Sequence, residues 1–213
     1  MAQLASVVGY AVVVAFTTLP VLAVIAVLLD TGRPARGWQL TAGYAAGLVV
    51  LFVLASFGLA RVPLPRFRDA GGIEIAAGLL LLAVAAGLGY WHPHHSATRT
   101  HTVKAMTARR AVLVGLQFAF HPENLALTFA AAAHVSDLPA GERLTAALLF
   151  TAVGVSTVAL PTLAFRIAGD RVRDRLDRLR HAILAHGLLL TRVLLAACGV
   201  VLVGLGLWNL LSL

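Results

Sequence analysis

The sequence predicts an all-α membrane protein of six transmembrane helices, on three observations. Hydrophobic residues make up 60% of the 213-residue chain and charged residues only 12%, with a mean hydropathy of +0.89, whereas soluble domains carry about 25% charged residues. Six apolar runs each come close to the roughly 20 helical residues that cross a bilayer core. Between those runs the basic residues gather on alternate sides. This length holds one membrane domain, residues 1–213, and leaves no room for a separate soluble one.

The first run, Ala5 to Leu29, is interrupted by Pro20. It is too long for a secretory signal, and Met1 to Ser6 carries no positive charge, so it reads as a retained helix. The second run covers Leu40 to Ala60, where Gly43 and Gly47 suit close helix contact. The third covers Ile73 to Trp91; Glu74 stands at its outer start as a headgroup-level charge or a second pathway carboxylate. Gly78 in this run again favours close packing, and Tyr90, Trp91 and Trp208 read as interfacial aromatics. A polar loop, 92–110, holds His92, His94, His95 and His101 at spacings that match no fixed coordination pattern. The fourth run is Ala111 to His134 and the fifth Leu144 to Phe165. Residues 166–186 then set Ile167, Val172, Leu176, Leu179 and Ile183 at helical spacing among arginines and aspartates, the pattern of an amphipathic helix at the inner surface. Leu188 to Leu211 is the sixth run, and Arg192 can snorkel from its first turn.

Charge sets the expected orientation. One set of loops carries Arg33, Arg36, Arg99, Lys104, Arg109, Arg110, Arg166, Arg171, Arg173, Arg175, Arg178 and Arg180; the other carries Arg61, Arg66, Arg68 and Arg143. The richer side is expected to be cytoplasmic, with both termini outside the inner (plasma) membrane. The same rule accounts for the net charge of +8 without nucleic acid, and no basic patch is interleaved with aromatics. Lipids and a small-molecule or lipid substrate are the expected partners, with a homo-oligomer allowed. A single cysteine, Cys198, excludes a disulfide, a thiol relay or a cysteine metal cluster within one chain. No enzyme site is legible: His121-Pro122-Glu123 lacks the second histidine of the zinc-protease pattern. No cofactor is expected.

Six spans divide into two sets of three. Ala15-Phe16-Thr17-Thr18-Leu19-Pro20 interrupts the first run, and Phe118-Ala119-Phe120-His121-Pro122-Glu123-Asn124 interrupts the fourth, each with a phenylalanine four residues before the proline. Leu40-Thr41-Ala42 is echoed by Leu144-Thr145-Ala146. An odd number of spans per repeat makes the repeats inverted, about 1–91 and 111–213, and matched broken helices point to a transporter's binding site. Each proline leaves a carbonyl, that of Phe16 or Phe118, without its helical donor at membrane depth. Thr17, Thr18, Gln117 and Asn124 are the nearby groups able to satisfy it.

Glu123 is the sharpest candidate. It lies about twelve residues into its span, near 18 Å of helix, where a carboxyl costs on the order of 3 kcal/mol on insertion scales and commonly marks a pathway or proton relay. A protonated glutamate that only locks packing is the bland alternative. Around it the expected substrate or proton pathway comprises His121, Pro122, Asn124, Thr17, Thr18 and Pro20, with Glu74 and Gln117 secondary.

Thr18-Leu19-Pro20-Val21-Leu22-Ala23-Val24-Ile25-Ala26-Val27-Leu28-Leu29, the short arginine-bearing loop after it, Leu40-Thr41-Ala42-Gly43-Tyr44-Ala45-Ala46-Gly47 and the His121-Pro122-Glu123-Asn124-Leu125 break together resemble the GAP/Sap-like family. Those actinobacterial membrane proteins are named for addressing glycopeptidolipid or sulfolipid to the surface, and they look like members of the lysine-exporter (LysE-type) superfamily. The family's break is closer to Asn-Pro-Lys-Asn, so Pro122 and Asn124 match while His121 and Glu123 depart. The resemblance covers nearly the whole chain and implies a six-helix, exporter-like fold. The expected function is therefore export of a small molecule or envelope lipid by alternating access, with proton coupling through Glu123. Two alternatives stand beside it: a divalent-cation exporter with His92, His94, His95 and His101 as collector, and a non-transporting scaffold for envelope-lipid export.

Overall fold

The computed structural model describes residues 2–60, 72–90 and 107–211, and these are helical with short turns. The helices are α1 (Ala2–Ala15), α2 (Thr18–Thr31), α3 (Pro34–Leu59), α4 (Gly72–Tyr90), α5 (Ala108–Ala119), α6 (Pro122–Val135), α7 (Ala140–Ala168) and α8 (Arg173–Leu211). A 3-10 turn, Gly169–Val172, joins the last two.

Local chemistry explains the ends. Gly32 takes the left-handed conformation (φ 61°) and donates its N–H to Leu28 O, while Pro34 opens α3 where its missing N–H costs nothing. Thr107 caps α5 by accepting from the Arg110 N–H. The guanidinium of Arg173 donates to Leu29 O, placing a cation on the negative end of α2.

Among the described residues three helical stretches are long and apolar enough to cross a bilayer: α3, the run from Ala140 through Gly187, and Thr191–Trp208. The bent pair Val7–Ala15 and Thr18–Thr31, turning by 44°, makes a fourth if taken as one span. Helix α4 contributes a shorter apolar stretch, Ile75–Gly87. Helices α5 and α6, with 12 and 14 residues, are each too short to cross alone. The chain is thus a helical membrane protein.

Four segments form a central ring in which α1 packs on α7, α7 on α3, α3 on α6 and α6 on α1. Helices α4 and α8 pair outside it, α4 leaning on α6 and α8 on α2, and α5 lies along α3. The expected glycine contacts are present. A Cβ on Gly43 would collide with the Val112 carbonyl, one on Gly115 with the Leu40 carbonyl, and one on Gly47 would stand 2.6 Å from the Ala119 Cβ. The α4–α8 contact is reciprocal: a Cβ on Gly78 would lie 2.7 Å from Gly199 O, and one on Gly199 2.9 Å from Gly78 O.

Residues 166–186 are divided between elements. Arg166 and Ile167 end α7, and everything from Arg173 belongs to the same continuous helix as the final span. Its inward stripe is Leu176, Arg180, Ile183 and Gly187, while Ile167 and Leu179 are exposed. One helix, Arg173–Leu211, carries both the charged stretch and the final apolar span. Residues 92–106 of the histidine loop, with all four of its histidines, lie outside the described residues, as do Trp91 and the Glu74 side chain, whereas residues 107–110 cap and begin α5.

Candidate functional site

Both expected breaks are present, two residues out of phase with the proline alignment. Thr17 (φ −64°, ψ 127°) and His121 (φ −66°, ψ 141°) take the same extended conformation, and each is followed by a helix of 14 residues. Phe16-Thr17 therefore corresponds to Phe120-His121. That spacing also separates Leu40-Thr41-Ala42 from Leu144-Thr145-Ala146. Pro20 is the third residue of α2 and Pro122 the first of α6. Any first-turn position tolerates proline because its N–H has no helical acceptor, so the proline alone does not fix the register.

The carbonyls freed at each break are capped differently. At the second, Phe118 O accepts from the Asn124 side-chain amide at 2.8 Å and from the His121 N–H at 3.2 Å, as expected of Asn124. Gln117 is exposed, its backbone oxygen accepting from the Phe120 N–H. At the first break the capped carbonyls are those of Val14 and Ala15. Thr17 Oγ1 donates to Val14 O at 2.8 Å, and Thr157, from α7, donates to Ala15 O. Pro161 in α7 deprives the Thr157 carbonyl of its own helical donor, so α7 is loosened at the same level.

Tyr44 joins the two breaks. Its side chain, fully buried on α3, lies beside those of Thr17 and Asn124 and within electrostatic reach of Glu123, although its hydroxyl makes no hydrogen bond of regular geometry. Glu123 is 2% exposed in the first turn of α6, where the helix dipole favours a negative charge. His121 is a third exposed and places Nδ1 3.7 Å from Glu123 Oε1. Thr18 turns to the other side, 3.4 Å from Thr191 Oγ1 on α8 and against Gly187. Pro20 is buried within α2. The structure thus gathers Thr17, His121, Glu123 and Asn124, sets Thr18 against α8, and leaves Gln117 outside.

Two members of the site went unnoticed in the sequence, Tyr44 and Thr157. Each lies in a mostly apolar helix, distant in the chain from the group it meets. Among the described residues no group of three or more His, Cys, Asp or Glu side chains could hold a metal ion. His92, His94, His95 and His101 lie outside them.

The family model described as Sap, sulfolipid-1-addressing protein (SfLAP), matches residues 7–208, both breaks and every described span included. The chain belongs to the SfLAP family. No curated protein and no solved structure matches it. The likeness seen in the break motif and the second span therefore extends across this SfLAP member, while the carboxylate at its second break is a feature read from its own residues.

Proposed function

We propose that this SfLAP protein moves an envelope lipid or small molecule outward across the plasma membrane by alternating access between two inverted three-helix repeats. The observation that carries the reading is the meeting of two broken helices at Tyr44, with a buried carboxylate in the first turn of one of them. Irregular backbone is tolerated at membrane depth where it is buried in protein or lines a cavity, and half-helix ends are recurrent transporter binding elements.

The repeat is supported by matched parts. Helices α1 and α2 correspond to α5 and α6, α3 to α7, and α4 to α8; the α2–α8 contact is mirrored by α6–α4, and α1–α7 by α5–α3. In this reading each broken pair counts as one span, which makes six. Arg33, Arg36, Arg109 and Arg110 face the cytoplasm, and both termini lie outside. Membership of the lysine-exporter superfamily belongs to the same proposal. The family name suggests a sulfolipid as the first substrate to try, with a sulfated glycolipid as the probe.

Driving alternating access with a proton gradient needs a group whose protonation differs between the two states, and in this reading Glu123 is that group. A proton neutralises the carboxylate in one state and is released in the other. The test uses proteoliposomes with a sulfated glycolipid carrying a fluorescent acyl chain, whose arrival in the outer leaflet is read by dithionite bleaching. Wild-type protein is expected to move the lipid in response to a pH gradient, and Glu123→Gln to lose that response. Equal gradient dependence in both would overturn the role of Glu123, and movement no faster than in protein-free liposomes for this and small-molecule probes would overturn transport itself.

A further inference from the structure

One face of α8 changes company along its length. Arg178, His181, Ala185, Arg192, Leu195 and Gly199 recur at spacings of three, four or seven residues, which keep side chains on one side of a helix. Near Gly199 this stripe is covered by α4: a Cβ there would stand 2.8 Å from Leu82 Cγ and 2.9 Å from Gly78 O, and Leu195 is buried one turn away. Helix α4 ends at Tyr90, and Arg192, Ala185, His181 and Arg178 are exposed. The uncovered part of the stripe, Arg178 to Arg192, is about 21 Å of helix.

Charge along that part is unbalanced. The acidic side chains of α8, Asp174 and Asp177, both lie in its first two turns, and Asp177 already faces His181 at 3.6 Å. Arg178 donates from Nε to the Asp174 carbonyl of its own helix, and among the described residues no carboxylate stands within ion-pair distance of the Arg178 or Arg192 guanidinium. Thr191 meets Thr18 of α2 and turns inward, which leaves its neighbour Arg192 on the outside. Leu184, Leu189 and Val193 are exposed on the flanks of the stripe. Unpaired cations bordered by exposed aliphatic side chains fit a ligand that has both an anionic head and hydrocarbon chains.

We infer that the exposed stripe is a docking site for an anionic lipid: Arg192 holds the headgroup, and Arg178 and His181 line its approach from the Gly32 end of the bundle. The acyl chains lie along Leu189 and Val193. A second copy of the chain does not suit this face, because two α8 helices packed side by side in one orientation would oppose Arg192 to Arg192 with no acid between them. Residues 92–106, which follow α4, would bring Arg99 and Lys104 and no acid. A soluble anion would leave the flanking aliphatic side chains uncovered. Glu123 is buried inside the ring and this stripe faces outward, so lipid docking is separate from the proton-coupled step and does not rest on it.

The test places a bimane label at Ala185→Cys in the full chain carrying Cys198→Ser, reconstituted in nanodiscs of graded lipid composition. Dibrominated phosphatidylglycerol is expected to quench the label at about a fivefold lower mole fraction than dibrominated phosphatidylcholine, the preference that one engaged arginine gives. A label at Leu160→Cys, on the exposed face of α7, is expected to show no preference. Arg192→Gln should abolish the preference at Ala185→Cys, and Arg192→Lys should keep most of it. Equal quenching by the two lipids overturns the site, as does a preference that survives in Arg192→Gln or is matched at Leu160→Cys. Protection of the Ala185→Cys label from both lipids overturns it as well, and disulfide-linked dimers of the unlabelled protein would then make a second copy the occupant. The two labels decide the matter without any loss of charge, so the result holds even if Arg192→Gln does not reconstitute. Because the readout is binding at equilibrium, failure of gradient-driven lipid movement leaves the site standing, and equal quenching leaves the transport reading standing.

Discussion

The breaks at Thr17 and His121 share a backbone and differ in chemistry. Both stop a helix, extend one residue and start a helix of 14 residues. The first is closed by hydroxyls, one its own and one borrowed from α7, and α2 has no acidic residue in its first turn. The second is closed by its own amide and carries Glu123 and His121. Their approaches differ too: α5 is pressed backbone to backbone on α3 through Gly43 and Gly115, whereas α1 meets α7 through side chains, with Val14 Cγ1 3.1 Å from a Cβ built on Gly154. In the proposed mechanism the first break, held in part by α7, is the hinge, and the second, seated closely on α3, is the half-site that carries the carboxylate.

The largest effect on stability is expected where the second break is seated. Gly115→Ala drives a methyl into the Leu40 carbonyl, neither partner being a flexible side chain, and should cost about 3 kcal/mol or more, at the upper end of overpacking penalties. Thermal unfolding in detergent measures it, and an unchanged midpoint would mean that α5 is free to move off α3. Asn124→Ala removes the side-chain donor to Phe118 O and should cost about 2 kcal/mol. Thr157→Val removes the donor to Ala15 O at the first break and should cost about 1 kcal/mol, with Thr157→Ser close to wild type. If Thr157→Val proved costlier than Asn124→Ala, the hinge and the seated half-site would have to be exchanged. The smallest effect has the opposite sign. Nothing lies within 4 Å of a Cβ on Gly9 in α1, so Gly9→Ala should raise stability by about 0.5–1 kcal/mol through helix propensity.

Much of this was legible in the sequence, for reasons that can be named. Apolar bulk and basic loops follow directly from the solvent the chain must satisfy. The Phe118 carbonyl and its capping by Asn124 followed from local backbone rules, because donor and acceptor lie within one break. Glycine contacts at Gly43, Gly47 and Gly78 followed from the absence of a side chain. Aligning the two breaks on their prolines places them two residues out of phase, because proline is tolerated throughout a helix's first turn and Pro20 and Pro122 do not occupy equivalent positions. Thr157 and Tyr44 were invisible for a different reason. Their partners are brought to them only by the packing of α7 on α1 and of α3 on α6. The helical period of the charged stretch after Ala168 was legible, but not that it and the final span form one helix, because the pattern does not say where a helix stops.

The division between hinge and charged half-site is tested most directly by the pH-gradient dependence of fluorescent sulfated-glycolipid movement in proteoliposomes holding wild type, Thr157→Val or Glu123→Gln. Thr157→Val is expected to move lipid more slowly than wild type while still following the gradient, and Glu123→Gln to ignore the gradient while keeping its thermal stability. A Glu123→Gln protein that follows the gradient as wild type does, or that merely unfolds more readily, would contradict the account and make Glu123 a packing residue.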